Sequence, residues 1–554
     1  MKKSCVFFTL LIETSPQSIP LGSACVASAV KNDPRLKELL DVKLVWLSKE
    51  DEEYLKSEKE GTVGKLIARK MIKNSPLGKI DFACFSVYVW NHKESEEACK
   101  ILKEINPNCI TICGGPEVTA NPLGMTGFDY TVSGEGEKQT SDLIYSLLSE
   151  DFADGKFIEN KEIPGEELMS WCFPGPYLDG TINPDDFQCG ALWELSRGCP
   201  FKCSYCFESK GSKKVKYFPM EKIEKELDFF RQKKVRQVFV LDPTYNADKK
   251  RALEILKLIA RKTPDTFYYF EARAEFIDRE LAKAFTKIPC CLQFGLQSTN
   301  EKVLKNVNRS FDRQVFTRNI GFLNDAGVIF GFDLIFGLPG DNISGFFTSV
   351  DFALKLYPNN LETFCLSVLP GTMLFDQAKD FGLVFQDKAP YRILNTPTFG
   401  QEDLLKAQKF STACNYFYND GRAVPWFMAL CRFLKMQPSV FINNFSLWAE
   451  RKKIDLSCKS SFDQIEKTQL DFIGELLNQN SLNQYFSAVK SIVLLNGAFS
   501  KITDGEKSVV ISLDYAPEDT ASPLAQDIKQ FVKYASKKKC KIRIKQDFSY
   551  DFIK

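Results

Sequence analysis

Cys199, Cys203 and Cys206 are separated by three and then two residues in the segment Ser196-Arg-Gly-Cys-Pro-Phe-Lys-Cys-Ser-Tyr-Cys-Phe207. Three thiolates on one short loop can hold three irons of a cubane iron–sulfur cluster and leave the fourth open to a ligand, whereas a closed cluster or structural zinc site takes four protein ligands. Arg197 and Lys202 suit the thiolate and cluster charge, Gly198 and Pro200 suit a tight turn, and Tyr205 sets a ring beside the last thiol. A zinc knuckle short of one ligand, or three buried structural cysteines, are the plainer alternatives. His92 is the only histidine in 554 residues, which argues against a multi-histidine metal site or a Ser-His-Asp hydrolase and leaves proton transfer to carboxylates, Lys, Tyr, Cys or water.

This C-x3-C-x2-C loop resembles that of the radical SAM superfamily, in which the open iron chelates S-adenosylmethionine (SAM) and a reduced [4Fe-4S] cluster cleaves it to a 5′-deoxyadenosyl radical. Such a ligand needs an acceptor for its ammonium, a cation for its carboxylate and polar groups for its hydroxyls. Later strands end on Leu241-Asp-Pro-Thr-Tyr-Asn246, on Glu271, on Gly295-Leu-Gln-Ser-Thr299 with Arg309 beyond it, and on Asp333-Leu-Ile-Phe-Gly-Leu-Pro-Gly340. The run from Gly295 through Asn306-Val-Asn-Arg309 to Gly340 is similar to the SAM-binding segments of oxygen-independent coproporphyrinogen oxidases. That resemblance implies Gln297 and Asp333 on ribose hydroxyls, Arg309 on the carboxylate, Glu271 on the ribose or methionine moiety, and the backbone after the second strand on the ammonium. For Arg309 the rival role is an ion pair with a structural Asp on the barrel rim.

The elements that must carry these groups are set by apolar periodicity. Strands are expected at Val6–Ile12, Val42–Leu47, Phe82–Val89, Cys109–Cys113 and Tyr130–Ser133, with helices near 21–31, 62–74, 93–105 and 137–149. This reads as a doubly wound parallel sheet over residues 1–150, whose ligands sit at the strands' carboxyl ends. Two of those ends carry Gly114-Gly-Pro-Glu-Val-Thr119 and Ser133-Gly-Glu-Gly-Glu137. The pair resembles the cobalamin-binding domain found before many radical SAM domains, and implies a corrinoid held by Gly114, Gly115, Pro116, Glu117, Val118, Ser133, Gly134 and Glu135. The D-x-H-x-x-G signature that supplies a lower cobalt ligand elsewhere is absent after the first strand, where Glu13-Thr-Ser-Pro-Gln-Ser18 stands. His92 is at the correct sheet edge but in another loop, and reads as a loop or packing residue before a cobalt ligand.

Residues 151–188 read as a linker and 189–395 as a partial (β/α)6 TIM barrel, with strands near 191–196, 236–242, 266–271, 290–296, 328–335 and 361–368. Residues 396–554 read as mostly helical, at Gln401–Tyr418, Pro425–Met436 and Ser461–Leu477, ending βαβ-like at Val509–Leu513, Leu524–Ala535 and Lys541–Lys545. The fold class is therefore α/β. Gln297-Ser-Thr-Asn300 and Ala389-Pro-Tyr-Arg-Ile-Leu394 are similar to a subgroup of cobalamin-domain radical SAM proteins with a C-terminal domain of unknown function.

With 73 Lys and Arg against 71 Asp and Glu, no whole-chain field points to nucleic acid or a membrane. The lysine runs 210–216 and 537–543 read as solvated faces, a phosphate site being the alternative for the first. Eighteen irregularly spaced cysteines fit a reducing, oxygen-poor cytoplasm. The distal ones, Cys414, Cys431, Cys458 and Cys540, lie apart, so core packing is preferred to an auxiliary cluster. The apolar start, interrupted by Glu13 and Pro16, suits a strand better than an export signal.

The resemblance implies a cobalamin-dependent radical SAM methyltransferase acting on an unactivated carbon of a small-molecule or peptide substrate, fed by a flavodoxin- or ferredoxin-type reductant. Radical cyclisation, rearrangement or oxidation is the enzymatic alternative. A non-catalytic cluster or corrinoid sensor is the other, and it has no evident need of Glu271, Gln297, Arg309 and Asp333.

Overall fold

The computed structural model describes residues 2–75, 78–149, 157–158, 173–209 and 215–553. They form two compact units, Met1–Leu292 with Val307–Arg309 and Ser367–Ile393, and Gln293–Asn306 with Ser310–Leu366 and Leu394–Lys554.

The first unit opens with β1 (Lys3–Leu11), β2 (Leu40–Ser48), β3 (Phe82–Ser86), β4 (Ile110–Gly114), β5 (Tyr130–Val132) and β6 (Phe157–Ile158). They pair in parallel in the order β2-β1-β3-β4-β5-β6, a doubly wound sheet whose direction of winding reverses between β1 and β3. Residues of β1 divide by the period of two: Val6, Phe8 and Leu10 face one core, with Ile67, Met71 and Leu102 of helices Val63–Lys73 and His92–Ile105. Cys5 and Phe7 face the other, with Val30 and Ile144 of helices Leu21–Asn32 and Gly136–Leu148. Each large apolar side chain buried here stabilises the sheet by about 1.5–3 kcal/mol. Helix Glu52–Lys59 was not expected: it buries only Tyr54 and has no apolar stripe to betray it.

Next along the chain are β7 (Gly190–Trp193), the short antiparallel pair β8 (Ser196–Arg197) and β9 (Lys216–Tyr217), and then β10 (Gln237–Val240), β11 (Phe267–Ala272), β12 (Cys290–Gln297), β13 (Ile329–Phe336) and β14 (Asn360–Cys365). Six of them form a second sheet in the order β14-β13-β12-β11-β10-β7, parallel where β7, β10 and β11 meet and where β13 meets β14. The division into units falls inside β12. Asp248, Asp278, Asp312 and Asn342 cap the helices after β10, β11, β12 and β13, each accepting a first-turn N–H.

In the second unit, helices Gln401–Cys414, Phe427–Leu434, Pro438–Lys452, Phe462–Gln479 and Phe486–Thr503 surround an aromatic core that includes Phe417, Phe441, Phe445 and Phe472. The last turn of the expected helix to Tyr418 is wider, a π-helical segment over Asn415–Asp420. The expected βαβ-like end is corrected: Ser508–Leu513, Cys540–Lys545 and Tyr550–Ile553 form an antiparallel sheet. Leu495, Ala498 and Ile502 of the preceding helix cover one face of it, where Ile511, Ile542 and Ile544 point, so a crossover helix is not needed to bury that face.

Of the expected linker, residues 151–156 and 159–172 lie outside the described residues, as do 210–214 of the first lysine run. Among the described residues no helix is long and apolar enough to cross a membrane.

Candidate functional site

The three cysteines sit on the loop that leaves β7. Its start is fixed by Asp242, the residue two beyond β10, whose buried carboxylate accepts the Leu195 and Ser196 N–H groups at 2.8 and 3.0 Å and the Ser196 hydroxyl at 2.6 Å. Burial pushes the Asp242 carboxyl up to about 6, against those hydrogen bonds. The middle of the loop is tied by the Ser204 N–H to Val307 O at 3.0 Å, by the Asn308 amide to Lys202 O at 2.6 Å, and by the Leu374 N–H to Ser204 O at 2.8 Å. Arg309 donates Nη1 to the buried Cys203 thiol at 3.6 Å, and Cys199 Sγ lies 3.7 Å from Thr244 Oγ1. Burial pushes the Cys206 thiol up to about 11, so ligation has to supply the thiolate there. Among the described residues no three Cys, His, Asp or Glu side chains gather around a single point as for one metal ion. A cubane asks for something else, one thiolate on each of three irons, and three thiols on a loop anchored at Ser196, Lys202 and Ser204 fit that donor set.

Of the expected SAM residues, Glu271 and Gln297 lie at the carboxyl ends of β11 and β12, Asp333 in the middle of β13, and Arg309 in the loop before helix Arg313–Ala326. Glu271 is exposed on β11, and the next turn is fixed by Asn246, which donates to Arg273 O and accepts its N–H, both at 2.9 Å. Arg273 is itself buried, with its guanidinium 4.0 Å from the Phe201 ring of the cysteine loop. In the second unit Gln293 donates to Asp333 at 2.7 Å. Gln297, the last residue of β12, has φ of 67° and a buried Oε1 without a hydrogen-bond partner among the described residues. A left-handed conformation at a non-glycine residue costs about 1–2 kcal/mol, and an orphaned buried acceptor costs a similar amount, which fits a group built to receive a hydroxyl donor.

A cavity of about 440 Å³ opens at the ends of β3, β4 and β5 in the first unit. Gly114, Gly115, Pro116, Gly134 and Glu135 line it, together with Arg197 and Glu208 from either side of the cysteines. Gly115 has φ of 112°, and a Cβ there would lie 2.7 Å from Val87 O, so only glycine lets this loop rest directly on the backbone beyond β3. Thr119 ties the two glycine loops together, its hydroxyl donating to Gly115 O at 2.9 Å and accepting the Gly134 N–H at 2.8 Å. Val118 instead packs in the core, Ser133 is buried off the cavity, and the Glu117 carboxylate turns away from it to accept from Tyr391. His92 Nδ1 lies 3.4 Å from Glu117 and Nε2 3.4 Å from Glu96. The hydrogen bond to Glu117 raises the imidazole above the usual histidine range, and His92 does not line the cavity. A floor of backbone, side chains kept out of the way by Gly115 and Gly134, and a volume in the range of small-molecule pockets suit a broad planar ligand.

Arg197 joins cavity and cysteine loop. Its guanidinium bonds Glu194 at 2.8 Å and Glu137 at 2.6 Å and lies 3.7 Å from Glu135, which Lys216 also holds at 3.2 Å. Burial alone pushes Glu137 up; Arg197 more than offsets this and holds it below the usual carboxylate range. The sequence suggested that Arg197 balances thiolate charge, and only the fold aims it at the second glycine loop. Asp242 and Tyr391 were also missed as anchors, since neither lies near the cysteines or glycines in sequence.

Residues 193–353 match the radical SAM superfamily, and 379–550 match a protein of unknown function, DUF4080. The chain carries a radical SAM domain. The chain is 27% identical over 283 residues to the 2-(S-pantetheinyl)-carbapenam-3-carboxylate methyltransferase of Streptantibioticus cattleyicolor, covering 44% of this chain and 39% of that one. It is 26% identical over 354 residues to the cobalamin-dependent radical SAM methyltransferase TokK of Streptomyces tokunonensis, covering 56% and 50%. It thus spans about half the length of the curated relatives it matches. The structure of the cobalamin-dependent SAM radical enzyme OxsB with aqua-cobalamin bound covers 96% of this chain and 84% of its own, with a TM-score of 0.57 at 12% identity, a likeness of fold.

Proposed function

We propose that this chain is a cobalamin-dependent radical SAM enzyme that methylates an unactivated carbon of a small molecule. The supporting observation is the shared cavity: the glycine loops at the ends of β4 and β5 and the flanks of the cysteine loop, Arg197 and Glu208, line one space, which sets the sheet edge beside the loop that would carry the cluster. In this reading residues 1–150 hold the corrinoid, 189–395 hold cluster and SAM, and 396–554 form a separate C-terminal domain without a catalytic motif.

The cluster would supply the electron that cleaves SAM into methionine and a hydrogen-abstracting adenosyl radical, and the corrinoid would supply the methyl group. Cys199, Cys203 and Cys206 hold three irons, and Asp242 presents their loop. Arg309, already beside Cys203, receives the SAM carboxylate with its planar fork. Gln297 and Asp333 take ribose hydroxyls, and Glu271 the ribose or methionine moiety. Gly114, Gly115, Pro116, Gly134 and Glu135 form the corrinoid floor, while Glu117, Val118 and Ser133 shape it from behind. A flavodoxin- or ferredoxin-type protein is the reductant.

The test is anaerobic purification with hydroxocobalamin, an ultraviolet–visible spectrum, iron and cobalt analysis, and an assay for 5′-deoxyadenosine with methyl-labelled SAM. One equivalent of cobalamin with one four-iron cluster and SAM cleavage is the expected result. Cleavage without bound cobalamin would overturn the methyl-transfer reading in favour of cyclisation, rearrangement or oxidation.

A further inference from the structure

The first unit contains a segment, Ser367–Ile393, that comes from far along the chain and whose second half begins the region matching DUF4080. It is anchored at two points. Near its start, the buried Leu374 gives its N–H to Ser204 O, the carbonyl between the second and third cluster cysteines. Near its end, the Tyr391 hydroxyl donates to Glu117 Oε1, where both residues are less than one-tenth exposed. Tyr391 is itself held in place: its carbonyl accepts the Val368 N–H at 2.9 Å, its N–H bonds Lys388 O at 3.0 Å, and its φ is 56°.

Glu117 does not reach the cavity, yet it is the second residue of the short helix just after Gly114 and Gly115. Its own N–H reaches back to Val87 O at 3.3 Å, the carbonyl over which Gly115 packs. Fixing the Glu117 side chain therefore fixes the height of the first glycine loop, and through Thr119 that of the second. His92 Nδ1 approaches the same Glu117 Oε1 at 3.4 Å, and Glu96, which bonds His92, accepts from Thr126 at 2.7 Å. A buried carboxylate that loses a donor costs more than the bond itself contributes, so without the Tyr391 hydroxyl Glu117 is left to the longer His92 contact and shifts toward it.

We infer that Ser367–Ile393 is a strap that sets the corrinoid loop against the cluster loop, with Tyr391 as the positioning residue for cobalamin. This rests on the corrinoid reading above and assigns a role to the start of the DUF4080 region. The strap, not the Rossmann-like sheet alone, completes the corrinoid site.

The test is anaerobic titration of the full chain with hydroxocobalamin, monitored by absorbance and protein fluorescence, for wild type, Tyr391→Phe, Glu117→Gln and the double variant. The expected result is a dissociation constant raised about fivefold or more in Tyr391→Phe, with iron content and far-ultraviolet circular dichroism as in wild type, and a double variant no worse than the weaker single one. Phe keeps the ring, so the comparison reads the hydroxyl and not the fold. A constant within twofold of wild type in Tyr391→Phe, or additive effects in the double variant, would overturn the strap while leaving the corrinoid reading intact. Absence of any saturable cobalamin binding in wild type would overturn both.

Discussion

At the residue scale the charges around the cavity are paired by position and not by sequence neighbourhood. Arg309 illustrates the point. Its Nη1 donates to the Cys203 thiol at 3.6 Å, and in the proposed function the same guanidinium receives the SAM carboxylate. Arg309→Ala is expected to raise the SAM concentration for half-maximal 5′-deoxyadenosine formation about tenfold or more, the equivalent of ~1.4 kcal/mol, with the iron content unchanged. Loss of iron would show that the side chain serves the thiol alone. Asp242→Asn removes one of the acceptors that gather Leu195 and Ser196, and should cut the iron retained per chain after reconstitution by half or more, read by iron analysis. His92 gives a direct titration, since one histidine yields one set of imidazole signals in nuclear magnetic resonance. Glu117 and Glu96 raise its folded value above the unfolded one of about 6.5, so its contribution to stability is complete below that pH and is lost as pH rises through the folded value. Tyr391 faces the same carboxylate, and Glu117→Gln should lower the midpoint even though Glu96 remains; an unchanged midpoint would contradict the pairing.

At the scale of elements, strands β3, β4 and β5 matter for the loops at their carboxyl ends. The Gly114-Gly115 turn has to rest on Val87, and its φ of 112° lies where an alanine is strained by about 1–3 kcal/mol even before its Cβ meets the carbonyl. Gly115→Ala should speed amide hydrogen exchange at Val87, whose N–H bonds Gly114 O at 2.8 Å, and weaken cobalamin binding. Exchange as slow as in wild type would mean that the loop has room to yield. The barrel helices begin on Asp or Asn caps, whereas in the second unit helices Pro438–Lys452 and Phe486–Thr503 went unread. Phe486–Thr503 is buried on several sides, and Pro438–Lys452 carries exposed Val440 and Leu447 on its outer face, so neither shows the one-sided stripe by which a helix is recognised.

For the whole molecule, the cysteine loop is held by backbone and side-chain bonds at Ser196, Lys202 and Ser204 that do not use the thiols. Replacing Cys199, Cys203 and Cys206 together by Ala should therefore abolish iron binding and SAM cleavage while cobalamin still binds. Circular dichroism and a cobalamin titration would check it, and loss of both would show that the cluster is needed to hold the first unit together.

The sequence by itself determined the α/β class and the order of the strands, and set the three thiols at a cluster-ligand spacing, because ligand spacing and the periods of two and 3.6 are local properties. It also placed Gln297 and Glu271 at the ends of their strands, since a strand's last residues are set by its own apolar run, whereas Asp333 falls in the middle of β13. Only the tertiary structure decided that Glu117 turns from the cavity to Tyr391, that Arg197 reaches Glu137, and that the last sheet is antiparallel. Those outcomes join residues 60 to 274 positions apart, or depend on which face a preceding helix covers. Closing such distances is a matter of packing and of satisfying buried charge, and no short stretch of sequence records which partner a carboxylate will find.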